Sequence, residues 1–556
     1  MNGEKEPVAP RPGNARPGGS PTAKQRIASI LEIVWMLLLI LPAASTMSAS
    51  RPWDLNVRAL FIVSCWLVVG ARLLYPRRGF FLVTLPIALL GLLCMGADFL
   101  RTVDLLELLL QWRTFPPDET ASAIRPYIGL VAAGFAVVGA LCWAAWRTGS
   151  SRSTGRLAQL GVLAGTIALG CAVPAATWVR SWPIDGVLVV ASAVADSHAL
   201  SQYLFPGTSS VDPRDPKATW NASRVPGAAT TETVVFIIGE TVRNDFLKEC
   251  HGPDRVRAVA AGSLVACDVT SGADSTAASV PLIVSREMPG HPVRVSSDAT
   301  FARALKEAGF ETHWFGVQGS SVAWADADDQ RFPIAAGTDA ALLMPPLASA
   351  LASPARLKAI VLHASNAHDP YSTRYDPATA PYQVPTHLGE ALTKTNMRDV
   401  RLTYANAVDA SVGFINGVIR QLEQHPEPAF LIFSPDHGEN LLDDNRELWG
   451  HELRHPTRWD THVPAIFWAN EAWRATHVAQ WANLKSQIEA PLMHIDLVPT
   501  LLDAAGIRYA DRRAMRVDLL AQTVPARRRV VQEALGSTIE WETLVNEARA
   551  AGPLTR

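Results

Sequence analysis

The sequence predicts a chain of two classes: an N-terminal domain of five transmembrane helices, then a C-terminal α/β domain with a mostly parallel sheet. Three observations point there. Mean hydropathy is positive, +0.11, and only 18% of the 556 residues are charged, which is unusual for a soluble protein. The apolar surplus is gathered into five runs that end near residue 179. Beyond residue 230, short β-rich runs alternate with helically periodic stretches, the pattern of a parallel sheet with covering helices.

Residues 1–26 are rich in Pro, Gly and Lys/Arg and have no hydrophobic period, so they read as a disordered cytoplasmic tail. The apolar runs are 27–47, 60–74, 80–97, 127–146 and 157–179. A helix needs roughly 20 apolar residues to cross a ~30 Å hydrocarbon core, and with modest extension these runs reach that length. The first is too long for a signal peptide and lacks a small-residue cleavage site close behind it. Lys5, Arg11, Arg16, Lys24 and Arg26 crowd the tail, and Arg72, Arg77, Arg78, Arg147, Arg152 and Arg156 fall in the loops on that side. The opposite loops hold a sparser set, so the N-terminus is expected in the cytoplasm. Five crossings then place the catalytic half outside it. Residues 181–229 read as a connector along the membrane surface, with an apolar patch at 184–194, and residues 230–556 as the catalytic domain.

A net charge of −2 gives no basic field, so no nucleic-acid partner is expected. Cys65, Cys94, Cys142 and Cys171 fall in the apolar runs and read as small hydrophobes. Cys250 and Cys267 are the only pair in the second half. An oxidising compartment favours a disulfide between them, and the alternative is two separate buried thiols.

Three strand-like runs end in residues able to bind a metal or a phosphate. Residues 234–239 lead to Glu240, residues 360–363 lead to His368 and Asp369, and residues 430–435 lead to Asp436, His437, Gly438 and Glu439. In open α/β sheets the ligand site lies at the carboxyl ends of the strands. Each residue alone could be a cap or a turn. Together they deliver carboxylate and imidazole to one edge, a donor set suited to Zn²⁺ or Mn²⁺. The hydroxyl-rich segment 269–281, with Ser275, Thr276 and Ser279, leads toward a helix N-terminus, where backbone N–H groups favour phosphate. In isolation it is equally an ordinary N-cap.

These residues carry a family resemblance. Gly239-Glu240-Thr241-x-Arg243, Ser275-Thr276-Ala277-x-Ser279-Val280-Pro281 and Asp436-His437-Gly438-Glu439 resemble the lipid A phosphoethanolamine transferases of the alkaline phosphatase/sulfatase superfamily. The resemblance implies an alkaline-phosphatase/sulfatase-like catalytic domain in the periplasm, anchored in a bacterial inner membrane by five helices. It implies that Glu240, Thr276, Asp436 and His437 bind the catalytic zinc, with room for a second ion. Thr276 would be the nucleophile and would carry phosphoethanolamine covalently. His368 matches the substrate-side histidine. His451 is the choice for a second, with His455 as its competitor. Either could protonate a leaving alkoxide, hold phosphate oxygens or join a second zinc. His462 also matches a family position, with a structural role as its alternative.

There are departures. Gly272 and Leu282 stand where the family often has disulfide-bonded cysteines bracketing the nucleophile, and Val322 stands near the place of a lysine. Gln318 falls where an amide contacts donor phosphate, and Asp118 or Glu119 resembles an acidic residue that approaches the ethanolamine ammonium. The expected reaction passes phosphoethanolamine from phosphatidylethanolamine to lipid A, a core sugar or a glucan at the surface of membrane lipids, in a chain expected to be a monomer. The competing readings are a phosphoglycerol transferase or membrane-bound hydrolase of the same superfamily, and a non-catalytic membrane sensor.

Overall fold

The computed structural model describes residues 23–49, 55–100, 128–148, 160–166, 168, 219–290, 299–317, 326–332, 337–385, 394–451, 455–510, 516–533 and 537–554. Residues 1–22 of the tail, most of the fifth apolar run, the greater part of the connector, Asp118, Glu119, Gln318 and Val322 lie outside them, whereas tail residues 23–26 are the first turn of a helix and not disordered chain. The chain divides into two compact units, one of Met1–Leu92 with Ala132–Gly186 and one of Leu93–Val131 with Val187–Arg556.

In the N-terminal part the first four apolar runs are helices: α1 (Ala23–Ala49), α2 (Leu55–Leu74), α3 (Arg77–Leu100) and α4 (Ile128–Thr148). Trp35, Leu39, Val68, Phe80, Phe81, Ala88, Val138 and Cys142 form their core. The Trp35 indole donates to Thr84 Oγ1 at 2.8 Å, and Arg72 pairs with Glu32. Outward positions are apolar too, Ile30, Leu37 and Trp143 each being about 60% exposed. Helices apolar on every side are found in large cores or in lipid. Among the described residues, no helix is long and apolar enough to cross a membrane.

The second unit is built on an eight-stranded sheet. Its strands are β1 (Glu232–Gly239), β2 (Leu264–Thr270), β3 (Glu311–Gly316), β4 (Asp329–Arg331), β5 (Leu357–His363), β6 (Ala429–Pro435), β7 (His462–Ala469) and β8 (Leu492–Met493). The spatial order is β8-β2-β7-β6-β1-β5-β3-β4. Every pairing is parallel except those of β7, which runs against both β6 and β2. The sheet is therefore mixed, with a single reversed strand.

Central strands buried on both faces read as continuous apolar runs, and β1 and β6 are buried at every residue. Val234, Phe236 and Ile238 enter the core on one face, shared with Leu501 and Leu502 of α8 (Leu497–Ala504). Val235 and Ile237 enter the other, shared with Val408, Val412, Ile415 and Ile419 of α7 (Met397–Glu423). The smaller helices α5 (Thr276–Val284), α6 (Asp339–Leu351) and α9 (Trp541–Ala551) complete the parts used below. Cys250 and Cys267 are disulfide-bonded, tying the segment after β1 to β2.

Candidate active site

The strand order explains why distant residues meet. Strands β6, β1 and β5 are neighbours and parallel, so the residues that follow them emerge at one edge. Glu240 follows β1, Asp436 and His437 follow β6, and His368 lies in the loop after β5. Strand β2 points the same way and leads through 271–275 to Thr276, the first residue of α5.

Glu240, Asp436 and His437 are fully buried, and their ligand atoms lie within 4.8 Å of one another. Thr276 Oγ1 donates to Glu240 Oε2 at 3.0 Å and lies 3.4 Å from His437 Nε2. His437 Nε2 lies 3.1 Å from Glu240 Oε1 and 3.6 Å from Asp436 Oδ2. Its other nitrogen, Nδ1, faces the Gly438 carbonyl at 2.9 Å, which turns Nε2 toward the carboxylates. Asp436 Oδ1 accepts from the His437 and Thr241 amides at 2.8 and 3.4 Å, whereas Oδ2 is buried without a hydrogen bond of normal geometry. Two buried carboxylates, one imidazole and one hydroxyl, with a carboxylate oxygen left over, fit a divalent cation such as zinc.

The local backbone is shaped to bring these groups close. A Cβ on Gly438 would lie 2.4 Å from the Trp459 carbonyl, so the Asp-His-Gly turn requires glycine at its third place. Thr241 sits at φ +62, unusual for a β-branched residue. It is held there by Tyr404, whose hydroxyl donates to the Thr241 carbonyl, and by its own hydroxyl, which donates to Glu240 Oε1 at 2.7 Å. Arg243 joins the two motif loops: it pairs with Asp443 at 2.9 Å and Asp245 at 2.6 Å and donates to the Glu439 carbonyl at 3.1 Å. Its guanidinium lies over Trp459 and Phe246.

Electrostatics follow burial. Burial alone would raise Glu240, but His437, with His368 and His451 beyond it, outweighs burial and holds the carboxyl well below the usual range. Burial and then Glu240 push Asp436 up to about 7. Burial works against a proton on His437, yet Asp436 and Glu240 raise it well above an ordinary histidine.

A second histidine group adjoins the first. Glu240, His368 and His451 also converge within 4.8 Å. The His451 ring lies 4.2 Å from that of His437 and 5.4 Å from that of His368. His451 Nδ1 faces Glu439 Oε1 at 3.2 Å, and burial pushes Glu439 up to about 8. His455 lies elsewhere, between Glu533 at 3.1 Å and Glu547 at 2.9 Å. His462 opens β7, pairs with Asp268 at 3.1 Å and faces the Trp541 ring.

Sequence reasoning missed several supporting residues. Glu439 stood inside a quoted motif without a role. His494 is buried beside the turn: its Nε2 lies 3.2 Å from Ser434 Oγ and its Nδ1 3.5 Å from Ser279 Oγ, and burial lowers it to about 3. Ser279 in turn donates to the Asp436 carbonyl at 2.6 Å. Gly272 and Leu282 do face each other, and a Cβ on Gly272 would meet Leu282 at 2.8 Å. Apolar contact fills the place where a bridge was absent.

Residues 232–507 match the sulfatase family. This region is a sulfatase-family domain. Among curated proteins, the domain is similar to phosphoethanolamine transferase EptC of Escherichia coli K12, 24% identical over 220 residues, 37% of this chain and 37% of that protein. Phosphatidylethanolamine transferase Mcr-1 of Escherichia coli is 29% identical over 161 residues, 28% of each chain. The matched part of the chain spans 37% and 28% of the length of these two relatives. Among solved structures, the Zn complex of the EptC periplasmic domain from Escherichia coli matches with a TM-score of 0.50 at 19% identity, covering 59% of this chain and 97% of that one. The integral membrane protein lipooligosaccharide phosphoethanolamine transferase A (EptA) from Neisseria meningitidis matches with a TM-score of 0.62 at 17% identity, covering 89% of this chain and 99% of that one. The sulfatase-family domain therefore shares the fold of these transferases.

Proposed function

We propose that the protein is a zinc-dependent transferase that moves phosphoethanolamine from phosphatidylethanolamine to an envelope glycolipid or glycan, lipid A or a core sugar. The observation that carries this reading is the Thr276 hydroxyl, at the start of a helix and 3.0 Å from a buried carboxylate within a four-residue donor set. The relatives' names supply the transferred group. Zinc held by Glu240, Thr276, Asp436 and His437 would lower the pKa of the Thr276 hydroxyl and draw charge from the phosphoryl oxygens.

In the first half-reaction Thr276 Oγ1 loses its proton to solvent and attacks the donor phosphorus. The bond from phosphorus to the glycerol oxygen breaks, and diacylglycerol leaves with a proton from His451 or His368. The α5 N-terminus holds the anionic phosphoryl group. In the second half-reaction an acceptor oxygen attacks the phosphothreonine, the same histidines take the acceptor's proton, and the Thr276 hydroxyl is restored.

We place this chemistry at the outer face of the inner membrane, with the N-terminal helices crossing the bilayer and the domain in the periplasm. The apolar outer faces of α1–α4 and the fold likeness to an integral membrane protein support this placement. Gln318 and Glu119 are proposed to contact the donor headgroup.

The test is incubation of purified protein with fluorescent phosphatidylethanolamine and zinc, beside Thr276→Ala. Diacylglycerol release and a phosphoethanolamine adduct by intact mass are expected from the wild type and neither from the variant. Cleavage of phosphatidylglycerol in place of phosphatidylethanolamine would overturn the donor assignment in favour of a phosphoglycerol transferase.

A further inference from the structure

The loop after β5 is gripped by a residue that takes no part in the site. Asp339 opens α6, and its carboxylate accepts four hydrogen bonds from two consecutive loop residues. Oδ1 receives Ser365 N at 2.9 Å and Ser365 Oγ at 3.0 Å; Oδ2 receives Asn366 N at 2.8 Å and Asn366 Nδ2 at 3.0 Å. All three residues are buried. Burial raises the Asp339 carboxyl, and these donors together with Arg374 oppose that. Arg374 holds the other side of the loop, donating to the His368 carbonyl at 2.9 Å and the Asp369 carbonyl at 3.2 Å.

The consequence lies in the orientation of the Asn366 amide. With Nδ2 committed to Asp339, Oδ1 points the opposite way, where it accepts the Glu240 N–H at 3.3 Å. Gly239 makes room for this approach, since a Cβ there would fall 2.5 Å from Asn366 Oδ1. Asn366 itself sits at φ +28, a region asparagine tolerates better than most residues. The loop and the end of β1 are also pinned by Ala364 N to Ile238 O at 2.9 Å and Ala367 N to Glu240 O at 3.2 Å. The segment that fixes the Glu240 backbone is thus the one that carries His368.

We propose that Asp339 and Asn366 are positioning residues, a relay that sets the metal ligand Glu240 and the substrate-side His368 in one register. This rests on the zinc reading above. The relay acts through the backbone of Glu240 and touches neither metal nor substrate.

The experiment uses the full chain in detergent. Asn366→Gly keeps the backbone conformation accessible and removes only the amide; Asp339→Asn keeps the shape and replaces two acceptor positions with donors. Asp328→Asn is the control, because Asp328 likewise accepts from a backbone N–H and a hydroxyl, those of Thr312, but at β3. Zinc affinity is read by competition with a chromophoric chelator. Amide exchange over 236–243 and 363–370 and the melting temperature are read in EDTA. Asn366→Gly and Asp339→Asn are expected to lose roughly ten- to hundredfold in zinc affinity, with faster exchange in both segments. Asn366→Gly should melt close to the wild type, and Asp328→Asn should bind zinc normally. Wild-type exchange and zinc affinity in Asn366→Gly would overturn the relay, as would an equal affinity loss in Asp328→Asn. A wild type that binds no zinc, with the exchange difference still present, would sink the zinc reading and leave the relay standing.

Discussion

Glu240 is the residue on which both histidine groups converge, so its loss has two effects. On the proposed reading, Glu240→Gln keeps the shape but removes a negative charge that would hold the zinc. Zinc release and a fall in kcat/KM of about 10²–10³-fold are expected, the range of losing a principal electrostatic contact at a reacting centre; calorimetric zinc titration and diacylglycerol release would check both. Gly438→Ala should be as damaging by a different route, since the Trp459 carbonyl occupies the space the methyl group needs. Its signature would be lost zinc affinity with the domain still folded by circular dichroism. The proposed ligand residues stand out in the sequence because each closes a strand or opens a helix and belongs to a dense motif. Glu439, His494, Asp339 and Asn366 were not. Their roles depend on which side-chain atom meets which backbone group across distant segments, and spacing along the chain carries no trace of that. The choice of His451 over His455, four residues further on, rests on the family resemblance alone.

At the scale of elements, the Cys250–Cys267 bond closes a loop of 17 residues between the Glu240 segment and the strand that leads to Thr276. A loop of that length corresponds to about 3 kcal/mol of stabilisation in the chain-entropy picture. Replacing both cysteines by serine should lower stability by that order in urea unfolding, with a larger effect on turnover than the same loss placed far from the site. Leu282, on α5 and packed on Gly272, should cost about 2–5 kcal/mol on truncation to Ala. Strands β1, β5 and β6 could be read from their continuous Val/Ile/Leu/Phe runs. The reversal of β7 could not, because an apolar run such as 463–469 has the same pattern in either direction. Only its antiparallel pairing with β6 and β2 decides it.

At the scale of the whole molecule, stability should respond to pH through carboxyls far from the site. Burial, then neighbouring Asp503, pushes Asp518 up to about 7. An acid whose folded pKa is raised supports the fold fully below its unfolded value near 4. That support is lost as pH rises through 7. Asp518→Asn should therefore match the wild type below pH 4. At pH 8 it should be more stable by about 1–2 kcal/mol, once solvent screening at a partly exposed carboxyl is allowed for. Thermal melts of the two proteins across that range would check it, and a difference growing toward acid would contradict it.

The separation of the donor set along the chain also has a bearing on how the protein is made. Thr276 lies 36 residues after Glu240, but His437 lies 161 residues after Thr276. At a synthesis rate of about 5–20 residues per second, the emerging chain holds its nucleophile and first carboxylate for roughly 8–30 s before the remaining ligands exist. Until then the half-made pocket offers Glu240 and, once residue 368 is made, one imidazole, so on the zinc reading nascent chains should compete poorly for scarce zinc. On that reading metal capture would wait until β6 has docked beside β1, and a product truncated before residue 429 would hold the metal only weakly.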